Sequence, residues 1–216
     1  MPFYGCVSSG FLYARAQGRT LLVSAFVLAC ASIPMRARAA AFPAVDASSS
    51  TRLEAVMASI RARDPQGAPA LASRFAGETE PSIRAWILRG TAALDAARGA
   101  ALARTGLQDP SPLVRMAAVE ALAAASGADA VADLSALLDG GEANPGVRHA
   151  AVSALGSIKT PASAAALQKA LGEDADANVR VQAARSLRRH GAAGKRAARG
   201  ARNDQDGRVR AIANEP

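Results

Sequence analysis

Residues 142–171 read EANPGVRHAAVSALGSIKTPASAAALQKAL. The stretch opens on an acid, Glu142, then offers Asn144, a good helix N-cap type, and Pro145, a favoured first helical residue. These signals predict a helix in which Arg148 takes the fourth position. Val147, Ala151, Val152 and Leu155 stand one before the Arg and three, four and seven after it. That spacing makes one apolar stripe on a 3.6-residue period. A cation so near a helix start opposes the macrodipole by about 0.3–1 kcal/mol. After a short break, TPASAAALQKAL (160–171) carries a second apolar stripe. The stretch therefore reads as a helix–turn–helix unit with an unfavourably placed charge.

The unit recurs. Arg52, Arg84, Arg115, Arg148, Arg180 and Arg210 follow one another at steps of 32, 31, 33, 32 and 30 residues. Four residues before each stands Ser48, Glu80, Ser111, Asn144, Asp176 or Asp206, and all but Glu80 are good N-cap types. Six residues before each stands an acid: Asp46, Glu78, Asp109, Glu142, Asp174 and Asp204. We read each of these carboxylates as the partner of an Arg, in its own repeat or its neighbour, forming a structural ladder that fixes register. Exposed pairs of this kind contribute little stability by themselves. Further second segments are APALASRFAG, ARGAALARTGL, ADAVADLSALL and AAGKRAARGAR. In the last of these, Gly191, Gly194 and Gly200 lower helix propensity. One hairpin cannot bury its stripe alone, whereas stacked neighbours can. With half the residues apolar, only 4% aromatic, and no alternating apolar–polar runs, the expectation is all-α.

The pattern D-x-x-P-x-V-R-x-x-A-x-x-A-L resembles HEAT-like repeats, particularly the short phycobilin-lyase type. It is carried by DPSPLVRMAAVEAL (109–122) and EANPGVRHAAVSALG (142–156), covers 78–216 well and extends loosely over 46–77. The resemblance implies a right-handed α-solenoid of helical hairpins (HEAT-like or armadillo-type), with second helices lining the inner curve and a protein as the usual partner. The repeats fall near 46–77, 78–108, 109–141, 142–173 and 174–203, with a half-repeat at 204–216. Trp86 and Thr91 depart from the pattern in the second unit.

Residues 1–39 differ in kind. Arg15 and Arg19 precede the apolar run LLVSAFVLACASI (21–33), and Ala37-Arg38-Ala39 offers small residues where a signal peptidase cuts. Thirteen helical residues rise about 20 Å, short of the roughly 30 Å hydrocarbon core, so no permanent transmembrane span is expected. The first reading is a signal peptide, with a mature domain of 40–216 in a bacterial periplasm or secreted. The alternative reads VLAC as a lipobox, making a lipoprotein anchored through Cys30; Leu28 is not the usual small residue there. Cys6 and Cys30, the two cysteines, both lie in this leader, so the body has none to cross-link.

No catalytic, metal or cofactor constellation is expected. His149 and His190 are 41 residues apart, no phosphate or nucleophile motif occurs, and Glu173, Asp174 and Asp176 lack calcium-loop spacing. Charge is uneven, though. The chain carries +8, of which four Arg belong to the leader. Residues 177–216 hold ten bases and three acids, against twelve and fifteen in 40–176. Arg185, Arg188, Arg189, Lys195, Arg196, Arg199 and Arg202 are the candidate contacts for an acidic protein surface, polyanion or lipid headgroup. Nucleic acid is disfavoured, because no aromatics interleave with these bases. The expected function is a non-catalytic exported scaffold for a protein partner. The alternatives are a bilin-lyase-like chromophore chaperone or enzyme, on fold analogy alone, and polyanion or nucleic-acid binding through the basic C-terminal face.

Overall fold

A computed structural model describes residues 42–44 and 46–216. The leader readings, including Cys30 and the bond after Ala39, fall outside the described residues. The helices are α1 Ser49–Ala62, α2 Ala68–Phe75, α3 Pro81–Leu94, α4 Ala96–Gly106, α5 Pro112–Ser126, α6 Ala130–Asp139, α7 Pro145–Ser157, α8 Pro161–Glu173, α9 Ala177–Arg188, α10 Gly191–Ala198 and α11 Gly207–Asn214. No strand occurs among the described residues. Odd-numbered helices are the first members of hairpins and even-numbered helices the second, with α11 a final first helix.

Each first helix starts where the capping signals put it. Ser48, Glu80, Ser111, Asn144, Asp176 and Asp206 are the N-caps. The side chains of Ser48, Asn144, Asp176 and Asp206 accept backbone N–H groups of the first turn. Glu80 and Ser111 make no such bond. Their helices begin with Pro81 and Pro112, which have no N–H to satisfy. In α5 and α7 the stripe residues Val114, Ala118, Val119, Leu122, Val147, Ala151, Val152 and Leu155 are all fully buried.

Successive first helices lie side by side and pack intimately, α3 on α5, α5 on α7 and α7 on α9. From α4 onward each second helix packs on its own first helix and on the next, as α4 does on α5 and α8 on α9, whereas α2 packs chiefly on α3. Second helices touch one another more sparsely. Small residues permit the close approach. Ala117, Ala118, Ala121, Ala183 and Ala184 are buried in the interfaces. A Cβ on Gly99 would lie 2.3 Å from Ala92 Cα, and one on Gly156 2.3 Å from Ser186 Oγ. The run Pro112–Asp139 is apolar enough to pass as a span, with a mean hydropathy of 1.4 over 18 residues. Gly127, at φ +52°, breaks it into α5 and α6. The result is an all-α solenoid.

One segment departs from expectation. AAGKRAARGAR reads as a weak second helix, in which Lys195, Arg199 and Arg202 share one face only if it is helical throughout. The α-helix instead stops at Ala198, and Arg199–Ala201 forms a 3-10 turn. The tighter winding turns Arg202 away from the α-helical register of Lys195. Gly194 and Gly200 supply the weakness, each costing about 1 kcal/mol relative to Ala in a helix interior.

Candidate functional site

The recurring Arg is the most ordered polar feature of the molecule. It stands at the fourth position of every first helix, and in α1, α3, α5, α7 and α9 it reaches forward to the acid that opens the next repeat. Arg84 Nε and Nη2 donate to Asp109 at 2.8 and 2.9 Å, and Arg115 to Glu142 at 2.7 and 2.7 Å. Arg148 donates to Asp174 at 2.8 and 2.9 Å, and Arg180 to Asp204 at 2.8 and 3.0 Å. Arg52 makes the same fork with Glu78 at 3.1 and 3.0 Å. The third nitrogen turns back. Nη1 of Arg84, Arg115, Arg148 and Arg180 donates to the main-chain carbonyls six and five residues earlier, the first being that of the repeat's own acid. Arg52 Nη1 donates to the carbonyl of Ala47. Each guanidinium thus ties its own loop to the next one. The sequence left open whether the acid served its own repeat or a neighbour. Its carboxylate serves the Arg before it, and its carbonyl serves the Arg of its own repeat.

Each carboxylate does one thing more. Glu78, Asp109, Glu142, Asp174 and Asp204 accept the backbone N–H two residues on, at 2.7–3.0 Å. That residue is the N-cap of the following helix, so the negative charge sits where a helix start favours it. The penalty of a cation at one helix start is offset by an anion shared with the next. The electrostatics follow. Burial pushes Glu78 and Asp174 up, but hydrogen bonds from Arg52 and Arg148 and from the N-cap N–H prevail, so both lie below the usual range. Arg115 holds Glu142 low and Arg180 holds Asp204 low, each chiefly by its hydrogen bond. The same bonds raise Arg115, Arg148 and Arg180.

Further ion pairs cross between repeats and were missed in the sequence. Arg104 of α4 meets Asp133 of α6 at 2.8 Å, and Lys169 of α8 meets Asp139 of α6 at 2.8 Å. Arg89 of α3 meets Glu120 of α5 at 2.8 Å and lies 5.8 Å from the Trp86 ring centroid. Their separations of 29–31 residues match the repeat period, with opposite charge at each end. That coincidence was a legible signal. Trp86 is 38% exposed, and Thr91, the other departure, is fully buried with no partner for Oγ1.

Grooves run along the seams between neighbouring helices. One of about 820 Å³ follows the α5–α7 seam and is lined by Met116, Glu120, Ala123, His149, Ser153 and Lys159. Another, about 710 Å³, lies between α6 and α8 and is lined by Leu138, Asp139, Ala162, Ala166, Lys169 and Glu173. Among the described residues, no group of three or more His, Cys, Asp or Glu side chains is placed to hold a metal. Of the acids in the 173–176 turn, Asp174 belongs to the Arg148 rung and Asp176 caps α9. Asp46 is exposed at the first end of the ladder.

At the other end the basic residues outnumber the acids. Arg185, Arg189, Lys195, Arg196, Arg199 and Arg202 are all exposed. Arg188 is held by Glu215 at 3.0 Å, and Lys195 donates to the Pro216 carbonyl at 3.4 Å. Asp204 is engaged by Arg180 and Asp206 by Arg208, whose hydrogen bond brings Asp206 down to about 2. All three acids of residues 177–216 are therefore already paired.

Stacked hairpins joined by a charge ladder, with open grooves between them, define an α-helical repeat scaffold. The chain matches the HEAT repeats family over residues 68–143, 100–188 and 141–215, and it belongs to that family. HEAT repeats commonly mediate protein interactions and generally act as non-catalytic scaffolds. A comparison with curated proteins gave no match.

Proposed function

We propose that this protein is an exported, non-catalytic HEAT-repeat scaffold that binds a protein partner in the periplasm or envelope. The observation that carries the reading is the division of charge by role. The ladder charges from Arg52 to Arg180 are engaged internally, each guanidinium with one carboxylate of the next repeat and with main-chain carbonyls. The exposed cations from Arg185 to Arg202 have no carboxylate partner among the described residues. A repeat stack offers a long rigid surface, and a positive end steers acidic partners toward it. Export rests on the composition of residues 1–39, with cleavage after Ala39 as the proposed processing step and acylation of Cys30 as its competitor.

The test is fractionation of the producing cell, followed by crosslinking in the intact envelope and mass spectrometry. The mature chain should begin at Ala40 and crosslink to a defined acidic protein. That adduct should weaken with added salt and on reversing Lys195, Arg199 and Arg202 to Glu. A cytosolic chain with an intact leader would refute export, and a lipid adduct on Cys30 would replace a soluble product with an anchored one. A pigment or small molecule copurifying in stoichiometric amount would refute the scaffold reading in favour of a chromophore chaperone.

A further inference from the structure

The outer face of α5 is apolar and uncovered. A first helix of this stack turns one stripe to the core and should turn a polar stripe to water. Beyond the ladder Arg, α5 carries a single charge, Glu120, and around it on the outer face stand Leu113, Met116, Ala123 and Ala124. Only 28% of the most apolar 18-residue window in Pro112–Asp139 lies buried. Leu113 is 44% exposed, and it and Trp86 are the exposed large hydrophobics among the described residues.

The groove beside it is open because its floor is small. Long side chains bridge the neighbouring outer seams. Arg89 reaches Glu120 across α3–α5 at 2.8 Å, and Arg189 at the end of α9, donating to Ser186 Oγ at 3.1 Å, lies over Gly156 of α7. Two residues after the ladder Arg, α3 carries Trp86 and α9 carries Gln182, but α7 carries Ala150. With Gly146, Ser153, Ala154 and Ser157, Ala150 leaves the α5–α7 groove of about 820 Å³. Ridge and groove are adjacent: Leu113 stands on the helix that forms one wall, about a turn before Met116.

We propose that this face binds a second copy of the chain about a two-fold axis, each α5 ridge lying in the other copy's α5–α7 groove. Leu113, Glu120 and Ala124 fall at whole-turn spacings, so they share one face of α5 over about 16 Å. A two-fold axis across that face sets α5 antiparallel to itself and brings Leu113 of each copy to the Ala123–Ala124 end of the other. That end is completed by Gly127 and Ala128, so it holds no side chain larger than a methyl and accepts a Leu ridge. Charge is self-complementary as well. The α5 wall offers Glu120, 51% exposed at its side chain, and the α7 wall offers His149 and Lys159, so crossing two copies sets acid against base. Residues 40–176 hold twelve bases and fifteen acids, so this part of the stack carries little net charge to hold copies apart. A bilayer suits the face less, because Glu120 at its centre would have to enter hydrocarbon. This pairing uses a different face from the exposed cations and does not depend on the scaffold reading.

Sedimentation velocity on the full chain across the micromolar range should show a reversible monomer–dimer equilibrium. Leu113→Glu and Ala124→Arg should each raise the dimer Kd about tenfold or more. Both keep the fold, because they place an acid in the first turn of α5 and a base in its last, where the helix dipole favours them. The double variant should regain most of the lost affinity, since the introduced acid and base lie about 16 Å apart within one chain and meet only across the two-fold. A chain that stays monomeric throughout would overturn the pairing, as would single variants without effect or a double variant no better than the worse single. Association abolished only by reversing Lys195, Arg199 and Arg202 to Glu would overturn it and leave the scaffold reading in place. Binding to vesicles of phosphatidylethanolamine and phosphatidylglycerol that Leu113→Glu abolishes, without a dimer in solution, would overturn it in favour of a membrane surface.

Discussion

Replacing Arg148 with Ala removes one rung from the middle of the ladder, and its cost can be worked from the contacts. Arg148 and Asp174 are 15% and 6% exposed at their side chains, joined by bonds of 2.8 and 2.9 Å. Without the guanidinium, Asp174 keeps the Asp176 N–H at 2.8 Å and loses both charged donors. Leaving such a carboxylate short of partners costs about 1–3 kcal/mol. Relief of the cation at the start of α7 returns about 0.3–1 kcal/mol. The net loss should be about 1.5 kcal/mol, or several degrees in Tm for a domain of this size. Urea unfolding of Arg148→Ala, Asp174→Asn and the double variant at pH 7 should give a coupling energy of about 1–2 kcal/mol. The pH dependence has a definite sign. The folded value of Asp174 lies below its unfolded value, so the rung contributes fully above about pH 4. That contribution fades as pH falls through the folded value. The penalty of Arg148→Ala should therefore hold from pH 7 to 5 and shrink toward pH 3. Coupling below about 0.3 kcal/mol, or an equal penalty at pH 3, would refute the claim that the rung acts through its ionised carboxylate.

The other expectations concern the core. Thr91→Val should stabilise by about 1 kcal/mol in urea unfolding, since Oγ1 is buried without a partner and the replacement keeps the shape. Gly99→Ala should destabilise by about 3 kcal/mol, because the new Cβ would meet main-chain atoms of Ala92 at 2.3 and 2.7 Å. Gly172→Ala, in α8 with open space around it, should instead stabilise by about 0.5–1 kcal/mol. Equal effects of the two glycine changes would show that propensity, and not close helix approach, governs both.

The repeat was legible because local signals recurred at one period: an acid six residues before each Arg, and a capping residue or a proline, or both, at each helix start. None depends on tertiary context, which is why the starts of α3, α5, α7 and α9 fall where the capping pattern puts them. The partner of each acid was less legible. Six residues along the chain and one repeat back along the stack both bring an Arg near Asp109 or Glu142. Only the stacking distance between loops decides which Arg arrives. The weakness of the segment around α10 was legible in Gly191, Gly194 and Gly200, but the point where the α-helix gives way to a 3-10 turn was not, because the two share their spacing over a few residues.

A ladder of this kind places its energy between repeats. An isolated hairpin holds a guanidinium at the wrong end of a helix and a carboxylate with one donor, both mildly unfavourable. Stacking turns the two into a forked pair, so the gain belongs to the interface and vanishes when neighbours part. In a one-dimensional stack, interface terms set how far unfolding spreads from one unit to the next. A cut in the centre and a cut at the end should then differ in kind. Arg115→Ala severs the α5 hairpin from the α7 hairpin, with two or more hairpins on either side. It should lower the urea m-value as the halves begin to unfold separately. Arg52→Ala loosens one terminal hairpin, so the main transition should keep its midpoint to within about 0.5 kcal/mol while α1 and α2 lose amide protection first. If the two variants shifted midpoint and m-value alike, the rungs would be stabilising each repeat from within, and the coupling role would be wrong.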